Sequence, residues 1–386
     1  GLFFVVLNVL AKALTPELGP VMVIWGRFLF HVVLTALIFP AALVALAAPA
    51  AAGQAGPMAQ DRLLIIAHRG ASGERPEHTL EAYALAIDQG ADVIEPDLVI
   101  TRDGVLVARH ENEISETTDV ASRPEFAARR TTKTIDGRAV TGWFTEDFTL
   151  AELKTLYARE RLPQLRPASA AHDGRYRVPT FAEVLALARA RGVGVYPETK
   201  HPAWHRALGL PLEEPLLAEL ERVGWNRADA PVWIQSFEAN NLKALKARTP
   251  VRLVQLMAAE GGPADGGPGY AAMATPEGLA AIARYAWGIG PAKALVLAED
   301  GRGGLAATGL AERARAAGLA VHAWTVRAEN LFLPAPLRRG EDPAAHGDMA
   351  AEVRRLAEAG ADGLFCDFPG ACVAARQGMG PRQARP

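Results

Sequence analysis

The stretch 65-IIAHRGASGERPEHTLEAYALAIDQGADVIEPDLVITRDGVLVARHE-111 decides the fold that this sequence predicts. It begins with an apolar run that ends in a His-Arg-Gly triplet at 68–70 and continues through a helical pattern at 79–89. A second apolar run follows at 92–100. A strand, a helix and a second strand in this order form a βαβ unit, in which the two strands lie parallel in one sheet. The charged residues that end both runs should therefore meet at one edge of that sheet.

The same alternation of strands and helices continues through the rest of the chain. Helical stretches such as 180–191 and 305–317 separate most of the apolar runs. The strand candidates are 63–67, 92–100, 193–197, 232–236, 253–257, 294–298, 320–326 and 363–366, with 289–291 as the alternative to 294–298 for the sixth strand. Eight strands that alternate with helices suit a closed parallel barrel. The sequence therefore predicts the α/β class, as a (β/α)8 TIM barrel over 60–375 that is followed by a disordered tail at 376–386.

A ninth strand-like run, VLVARHE at 105–111, follows the second strand too closely for a crossover helix. Asp103-Gly104 is a typical hairpin turn, so this run should fold back antiparallel on the second strand. A turn centred between those two residues places Asp97 opposite His110. The long polar segment 113–179, with one clear helix at 150–159, then predicts an inserted subdomain at the barrel rim.

The composition excludes several classes of protein. The net charge is −2, and the chain has no basic stripe with interleaved aromatic residues, so we expect no nucleic-acid partner. The two cysteines, Cys366 and Cys372, lack the second pair or the neighbouring histidine of a zinc site. A disulfide between them is possible but not required.

The first 55 residues differ from the rest of the chain. They are almost uncharged, and the apolar run 28–52 is long enough to cross a bilayer. The run ends in small residues of the kind that signal peptidases cleave, so 1–55 predicts an export signal and a periplasmic or extracellular protein. A retained membrane anchor is the alternative, and it would give the protein its membrane contact. Residues 1–30 could also reflect a mis-set start or an artificial join.

Three acidic residues at strand ends predict a metal site. Glu95 and Asp97 are two residues apart on one strand, so their side chains point to the same side. Two carboxylates this close repel each other unless a proton or a cation lies between them. Glu198 ends another apolar strand at the same rim and adds a third carboxylate. Such oxygen ligands suit one divalent cation, Ca²⁺ or Mg²⁺, although an exposed acid pair at a strand end is the alternative.

Two histidines and two basic residues accompany these acids. His68 and His110 could supply one proton donor and one proton acceptor near neutral pH. Arg69 offers a planar fork of donors that matches phosphate oxygens, and Lys200 adds a compact positive charge two residues after Glu198. A metal, an arginine and a lysine together favour a phosphoryl group over a neutral substrate.

Glu77 and Trp324 each allow two interpretations. Glu77 could reach the metal as an outer-shell residue, or it could favour the N-terminus of the helix that begins near Thr79. Trp324 ends the seventh strand, where it could line a substrate pocket or belong to the core. The neighbouring His78 is expected only to pack against the helix or to cap it.

Six motifs occur in the order seen in glycerophosphodiester phosphodiesterases, which the chain resembles over 62–372. They are HRGASGERPEHTLEAY, ADVIEPDLVITRDGVLVARHE, YPETKHP, IQSF, AWTV and GADGLFCDFP. The segment between His110 and YPETK, which includes DGRYRVPTFAEVL, is similar to that of the exported bacterial branch. The resemblance implies a TIM barrel with a divalent metal, often Ca²⁺ in that branch. It also implies hydrolysis of glycerophosphodiesters, such as glycerophosphocholine, to glycerol 3-phosphate and an alcohol.

The resemblance also implies roles for the motif residues. Matched by motif, the metal ligands would be Glu95, Asp97 and Glu198, the acid–base pair His68 and His110, and the phosphate contacts Arg69 and Lys200. The sequence departs from the family pattern at His78, Glu111 and Cys366, where Asn, Asp and Thr are commoner. None of these three is an expected ligand, although Glu111 could alter how His110 is held.

The expected mechanism leaves two points open. One histidine would deprotonate the attacking oxygen, which is either water or the 2-hydroxyl of the glycerol, and the other would protonate the leaving alkoxide. The sequence does not say which histidine does which. A lipid-directed phosphodiesterase of phospholipase D or sphingomyelinase type is the nearest alternative. A barrel that binds phosphodiesters without catalysis is another.

Overall fold

The computed structural model describes residues 62–379. The predicted leader, 1–55, lies outside the described residues, as does most of the predicted tail; Arg376 and Gln377 belong to the last helix. No helix within 62–379 is long and apolar enough to cross a membrane.

Short strands form most of the regular structure of the barrel wall and of two small hairpins. In chain order, the described strands are β1 (Leu64–His68), β2 (Val93–Glu95), β3 (Asp97–Ile100), β4 (Leu106–Ala108), β5 (Thr131–Ile135), β6 (Arg138–Gly142), β7 (Gly194–Val195), β8 (Glu198–Thr199), β9 (Trp233–Ser236), β10 (Arg252–Met257), β11 (Gly288–Pro291), β12 (Leu297–Glu299), β13 (Leu305–Ala307), β14 (Ala320–Val326) and β15 (Gly363–Cys366).

Parallel pairing closes these strands into a barrel. β1 pairs with β2 on one side and with β15 on the other, and pairing continues around the ring through β7 and β8, β9, β10, β11 and β14. Two barrel positions are divided into two strands each, β2 with β3 and β7 with β8. The predicted (β/α)8 TIM barrel is confirmed.

Two prolines interrupt the divided strands at the same level. Pro96 separates β2 from β3, and Pro197 lies just before β8. A proline has no N–H to donate to a strand ladder, so it marks the break. The register continues across the break, because Asp97 pairs with Glu198 on the upper side. The two carboxylates therefore start adjacent strands side by side.

Helices and short 3-10 turns connect the strands. In the described residues the α-helices are α1 (Leu80–Asp88), α2 (Leu150–Leu153), α3 (Pro167–Ala170), α4 (Phe181–Arg191), α5 (Pro202–Ala207), α6 (Glu213–Arg222), α7 (Ala239–Lys246), α8 (Tyr270–Met273), α9 (Pro276–Ile282), α10 (Leu310–Ala316), α11 (Met349–Glu358) and α12 (Pro369–Gln377). The 3-10 helices are Val120–Ser122, Pro124–Arg129, Thr145–Asp147, Lys293–Leu295, Asn330–Phe332 and Ala335–Leu337. Local signals set the helix ends: Thr180 and Glu183 form a capping box at the start of α4, and Gly192 ends it with φ 68°.

Apolar side chains fill both sides of the barrel wall. Outward-facing strand residues pack with the helices in one large cluster. The interior is filled by Ile66, Val93, Tyr196, Trp233, Val254 and Phe365. Because this layer closes the barrel below the strand ends, the charged residues predicted at the rim cannot sink into the barrel and remain at its open end.

The segment 113–179 has a small core of its own. Phe126, Trp143 and Phe148 are buried there together with residues of the β3–β4 hairpin. The antiparallel pair β5–β6 and the short helices α2 and α3 complete the segment. The predicted helix 150–159 is wrong after its first turn, because Tyr157 and Ala158 instead form antiparallel bridges with neighbouring segments.

The predicted sixth strand is also wrong. Residues 294–298 are divided between a 3-10 turn and β12, which pairs antiparallel with β13 outside the barrel. The barrel position is taken by β11, which contains Gly288 and Gly290. A Cβ atom at Gly288 would lie 2.9 Å from the carbonyl oxygen of Ala320. Glycines weaken the strand signal in the sequence, but here they allow neighbouring backbones to approach closely.

Two further expectations differ from the structure in their boundaries. The β3–β4 hairpin pairs Leu98 with Ala108, so Asp97 lies opposite Arg109 and not opposite His110. The turn is centred on Asp103, one half-step earlier than predicted, which shifts the register by one residue. The helix predicted at 305–317 begins only at Leu310, since β13 occupies its first residues.

A disulfide joins Cys366 to Cys372. It links the end of β15 to α12, across Asp367, which follows the strand at the barrel rim. The sequence allowed this bond without requiring it.

Candidate active site

Three carboxylates meet at the open end of the barrel. Glu95 ends β2, Asp97 begins β3 and Glu198 begins β8. One oxygen from each lies within 4.8 Å of the other two, and all three side chains are buried. The parallel register between Asp97 and Glu198 and the i, i+2 spacing of Glu95 and Asp97 produce this cluster. The structure therefore brings the three predicted ligands together.

The electrostatics of the cluster are those of carboxylates crowded away from water. Burial, with repulsion from Asp97 and Glu198, raises the pKa of Glu95 well above its usual range. Burial and Asp97 also raise the pKa of Glu198 to about 8, against the opposing charge of Lys200. Burial alone would raise the pKa of Asp97 as well, but Lys200 and His110 outweigh it and hold that pKa well below its usual range. Only a proton or a cation relieves such crowding.

The donor set fits a hard divalent cation. Oδ1 of Asp97 is buried and accepts no hydrogen bond from any residue in the described part of the chain. Gln235 and the backbone N–H of Arg69 each donate to an oxygen of Glu95, at 3.1 and 2.8 Å, and so orient it. Hydrogen bonds from neighbouring residues thus orient the carboxylate of Glu95, while one oxygen of Asp97 has no hydrogen-bond donor. Carboxylate oxygens of this kind match the ligands of Ca²⁺ or Mg²⁺.

The two predicted phosphate contacts lie beside the carboxylates. Nε of Arg69 is 3.3 Å from Oδ2 of Asp97, and its Nη1 donates to Glu77 at 3.0 Å. Arg69 has a φ of 60°, the left-handed conformation, at the turn that follows β1. Lys200 donates from Nζ to Oε1 of Glu198 at 2.8 Å. Both positively charged side chains, Arg69 and Lys200, are buried at the edge of the acid cluster.

His68 is held by a carboxylate from the last barrel strand. Its Nδ1–H donates to Oδ1 of Asp367 at 2.6 Å. Burial raises the pKa of Asp367, but Arg327 and Arg166 outweigh it and hold that carboxylate ionised, so it acts only as an acceptor. Burial and Arg69 lower the pKa of His68 to about 4. The imidazole is therefore neutral at neutral pH, and Nε2 is left as its basic nitrogen.

His110 is held in the same way by its neighbour in the chain. Its Nδ1–H donates to Oε1 of Glu111. Burial, with the charges of Arg69 and Lys200, lowers the pKa of His110 to about 3. Although the hairpin register differs from the prediction, His110 remains close enough to influence the pKa of Asp97. Both predicted histidines thus lie at the rim with Nδ1 bound to a carboxylate.

The less specific predictions have clear positions. Glu77 accepts hydrogen bonds from Arg69 and Arg161, so its carboxylate joins two guanidinium groups beside the site. Trp324 is half-buried, donates from Nε1 to the carbonyl of Gly290, and packs edge-on against Phe237. Its position at the end of β14 is compatible with a pocket wall.

Several residues of the site were not found from the sequence. His78 does not cap α1; Thr79 does, while His78 hydrogen-bonds Asp97 and Tyr83 through its two ring nitrogens. Asp367 follows the last barrel strand, and no local pattern indicates that it binds a histidine 299 residues away in the chain. The arginines Arg161 and Arg166 of the segment 113–179 carried no local signal, because their partners are distant in the chain.

Comparisons with known proteins agree with this geometry. The model of the glycerophosphoryl diester phosphodiesterase family matches residues 68–371. A glycerophosphodiester phosphodiesterase of Arabidopsis thaliana is 36% identical over 329 residues, which cover 81% of this chain and 86% of that protein. One of Haemophilus influenzae is 31% identical over 345 residues, 79% of this chain and 87% of that protein.

Solved structures share the fold. A phosphodiesterase of Oleispira antarctica in complex with the product sn-glycerol-3-phosphate superposes with a TM-score of 0.55 at 21% identity, over 81% of this chain and 96% of that chain. A glycerophosphodiester phosphodiesterase of Agrobacterium tumefaciens gives a TM-score of 0.52 at 22% identity, over 81% and 99%. From the match over 68–371 and the two long relatives, the chain belongs to the glycerophosphoryl diester phosphodiesterase family and is a phosphodiester-hydrolysing enzyme.

Proposed function

We propose that this enzyme hydrolyses glycerophosphodiesters, such as glycerophosphocholine, to glycerol 3-phosphate and an alcohol, with one divalent cation and with His68 and His110 as the acid–base pair. The observation that carries the proposal is the pairing of two carboxylate-bound histidines with a buried cluster of three acids at one rim. The Oleispira antarctica neighbour, crystallised with sn-glycerol-3-phosphate, supports the choice of product.

Glu95, Asp97 and Glu198 would hold the cation. Their oxygen-only donor set suits both Ca²⁺ and Mg²⁺, and the resemblance to the exported branch favours Ca²⁺. When bound, the cation would neutralise phosphodiester charge and stabilise the charge that develops on its oxygens. Arg69 and Lys200 would contact the phosphate from the edge of the acid cluster, where both now pair with carboxylates.

The two histidines then divide the proton transfers. One accepts the proton of the attacking oxygen at Nε2, while its Nδ1–H remains bound to its carboxylate, which stabilises the imidazolium that forms. The other must carry a proton on Nε2 to protonate the leaving alkoxide. Burial and, after it, the charge of Arg69 lower the pKa of both imidazoles, so a bound phosphodiester anion would raise the pKa of the acid by offsetting the charge of Arg69.

The rim also offers a surface for an organic group. The rings of Phe237, Tyr270 and Trp324 pack edge to face beside Lys200. Glu238 is buried nearby, and burial together with Asp265 raises its pKa to about 8. Aromatic faces bind both the carbon side of glycerol and a quaternary ammonium group, so glycerophosphocholine is a suitable first substrate.

We also propose that the enzyme is exported. The apolar leader predicts export, and the disulfide between Cys366 and Cys372 supports it, because such bonds persist in oxidising compartments. N-terminal sequencing of the protein recovered from the envelope tests this. A start beyond residue 50 is expected for a cleaved signal, whereas retention of residues 28–52 would identify a membrane anchor.

The decisive experiment measures glycerophosphocholine turnover with a chelator and after return of Ca²⁺ or Mg²⁺. We expect the chelator to abolish turnover and the returned cation to restore it. His68→Ala and His110→Ala should each lower kcat about 10²–10⁴-fold, the usual contribution of a general acid or base. His172→Ala is the matched control, since His172 stacks on Tyr176 and hydrogen-bonds its hydroxyl.

Two outcomes would contradict the proposal. Full turnover in the presence of chelator would exclude the metal, and near-normal kcat in both rim-histidine variants would exclude the acid–base pair. Assay of intact phospholipid alongside glycerophosphocholine distinguishes the lipid-directed alternative, which predicts faster cleavage of the lipid.

A further inference from the structure

Two arginines of the segment 113–179 reach the two histidines through carboxylates. Arg161 and Arg166 lie five residues apart, both before α3, and Arg166 is the N-cap residue of that helix. Only 19% of the Arg161 side chain and 5% of the Arg166 side chain is exposed. Buried guanidinium groups must be paired, so their partners reveal what they do.

Arg161 binds two carboxylates with one guanidinium group. Its Nε and Nη2 donate to the two oxygens of Glu77 at 3.1 and 2.7 Å. Its Nη1 and Nη2 donate to the two oxygens of Glu111 at 3.1 and 2.7 Å. The carboxylate of Glu111 is the one that accepts the hydrogen bond of His110 Nδ1. Arg161 therefore fixes the residue that orients His110.

Arg166 does the same for the other histidine. Its Nη2 donates to Oδ2 of Asp367 at 2.6 Å, while Oδ1 of Asp367 accepts from His68. Its Nε donates to Glu329 at 2.6 Å, and its Nη1 donates to the carbonyl of Ser72 at 3.0 Å. Oδ1 of Asp367 thus binds the histidine, while Oδ2 accepts from Arg166 and also lies 3.0 Å from Nε of Arg327.

The pairing separates a positioning role from a substrate-binding role. Nε, Nη1 and Nη2 of both arginines already donate to protein oxygens, so neither arginine offers a whole fork to a phosphate. A carboxylate that also accepts hydrogen bonds from an arginine is held in place and cannot rotate away from the imidazole. The imidazole then keeps its proton on Nδ1 and presents Nε2 in one direction.

We propose that Arg161 and Arg166 are positioning residues, which act through Glu111 and Asp367 to fix the tautomer and direction of His110 and His68. The inserted segment is thereby a working part of the catalytic site. This inference rests on the proposed acid–base roles of the two histidines.

The test compares Arg161→Gln and Arg166→Gln with Arg129→Gln in the full chain. Arg129 is the matched control, since it pairs with Glu152 and packs on Phe126 within the same segment but does not reach the histidines. We expect each positioning variant to lower kcat for glycerophosphocholine about 10–100-fold with little change in KM, and the control to stay within about twofold. Arg161→Lys and Arg166→Lys should recover only part of the loss, since lysine keeps the charge but loses the fork.

Double variants identify the route. Arg161→Gln should add little to the loss caused by Glu111→Gln, because both break the same connection, but should multiply the loss caused by Asp367→Asn. Arg166→Gln should show the reverse pattern. If either glutamine variant fails to fold, as judged by its thermal transition, the lysine variants carry the same comparison.

Three results would decide against the inference. The first is kcat within threefold of the parent in both positioning variants while His68→Ala and His110→Ala are impaired. The second is an equal loss in Arg129→Gln, which would mean that stability of the segment alone matters. The third is a multiplicative loss of kcat when an arginine variant is combined with the variant of its own carboxylate, that is, Arg161→Gln with Glu111→Gln or Arg166→Gln with Asp367→Asn. Full activity in the histidine variants would instead reject the proposed function itself.

Discussion

At the scale of single residues, both rim histidines have Nδ1 bound to a carboxylate, but the two carboxylates differ in how far they are shielded from water. Asp367 is almost fully buried and lies between Arg166 and Arg327, whereas about a third of the Glu111 side chain is exposed. Water screens charges at the exposed position more strongly. The pKa of His68 should therefore depend less on ionic strength than the pKa of His110.

His205 is a buried histidine outside the site, and it gives a pH prediction. Both of its ring nitrogens lack hydrogen-bond partners among residues 62–379, and burial, with smaller contributions from His201 and Lys133, lowers its pKa to about 3. Between pH 3 and 6.5 the unfolded chain therefore binds a proton at this residue that the folded chain does not bind. Lowering the pH through this range must favour unfolding.

We expect the parent protein to lose about 2 kcal/mol more unfolding free energy than His205→Leu between pH 6.5 and 5, from a slope near 1.4 kcal/mol per pH unit. Chemical denaturation of both proteins at each pH measures the difference. Other histidines titrate in both proteins and cancel in the comparison. Parallel pH profiles would mean that His205 is protonated, or accessible to water, in the folded state.

At the scale of elements, local patterns predicted what local interactions determine. The i, i+2 spacing of Glu95 and Asp97 on an apolar strand was sufficient to predict an acid pair. The sequence ranks 289–291 below 294–298 for the sixth strand, although β11 takes that position, because β11 contains glycines whose role depends on the backbone of β14 beside it. Asp367 and Arg166 were missed as partners for the same reason, since 201 residues separate them in the chain.

Gly288 tests the explanation for β11. A methyl group at this position would lie 2.9 Å from the carbonyl oxygen of Ala320, so Gly288→Ala should lower the unfolding free energy by about 1–3 kcal/mol. Gly378→Ala is the matched control, since its nearest contact would be an ordinary 3.6 Å. Denaturant titrations of the two variants provide the measurement, and equal stability would show that the barrel wall can yield at β11.

At the scale of the whole molecule, the barrel was predictable because eight alternating units leave few other topologies. The rim arrangement was less so, because it joins residues from β1, the segment 113–179 and the loop after β15. The family motifs contain the three predicted ligands, but none of them includes Arg161 or Arg166. The disulfide adds a covalent link next to this rim, between β15 and α12.

Removal of this link should be measurable in the stability of the whole barrel. Cys372→Ala opens a loop over residues 366–372, and the chain-entropy relation gives a loss of about 2 kcal/mol for a loop of this size. Denaturant unfolding with and without a reductant is the measurement: the reductant should destabilise the parent and leave the variant unchanged. Two reactive thiols in the native parent under oxidising conditions would contradict the bond.

The hydrogen bonds of Arg161 and Arg166 to the carboxylates at the rim limit how a smaller version of this enzyme could be engineered. Excision of residues 113–179 would leave Glu77 with Arg69 and Asp367 with Arg327, but Glu111 would lose its ion pair with Arg161. It would keep the hydrogen bond of His110 and the longer-range influence of Arg69 and Arg109. With less positive charge around it, the carboxylate would favour a proton on the imidazole of His110, which would occupy the lone pair that a base needs. A miniaturised barrel, or a graft from a shorter homologue, must import a replacement cation for Glu111 along with the new loop.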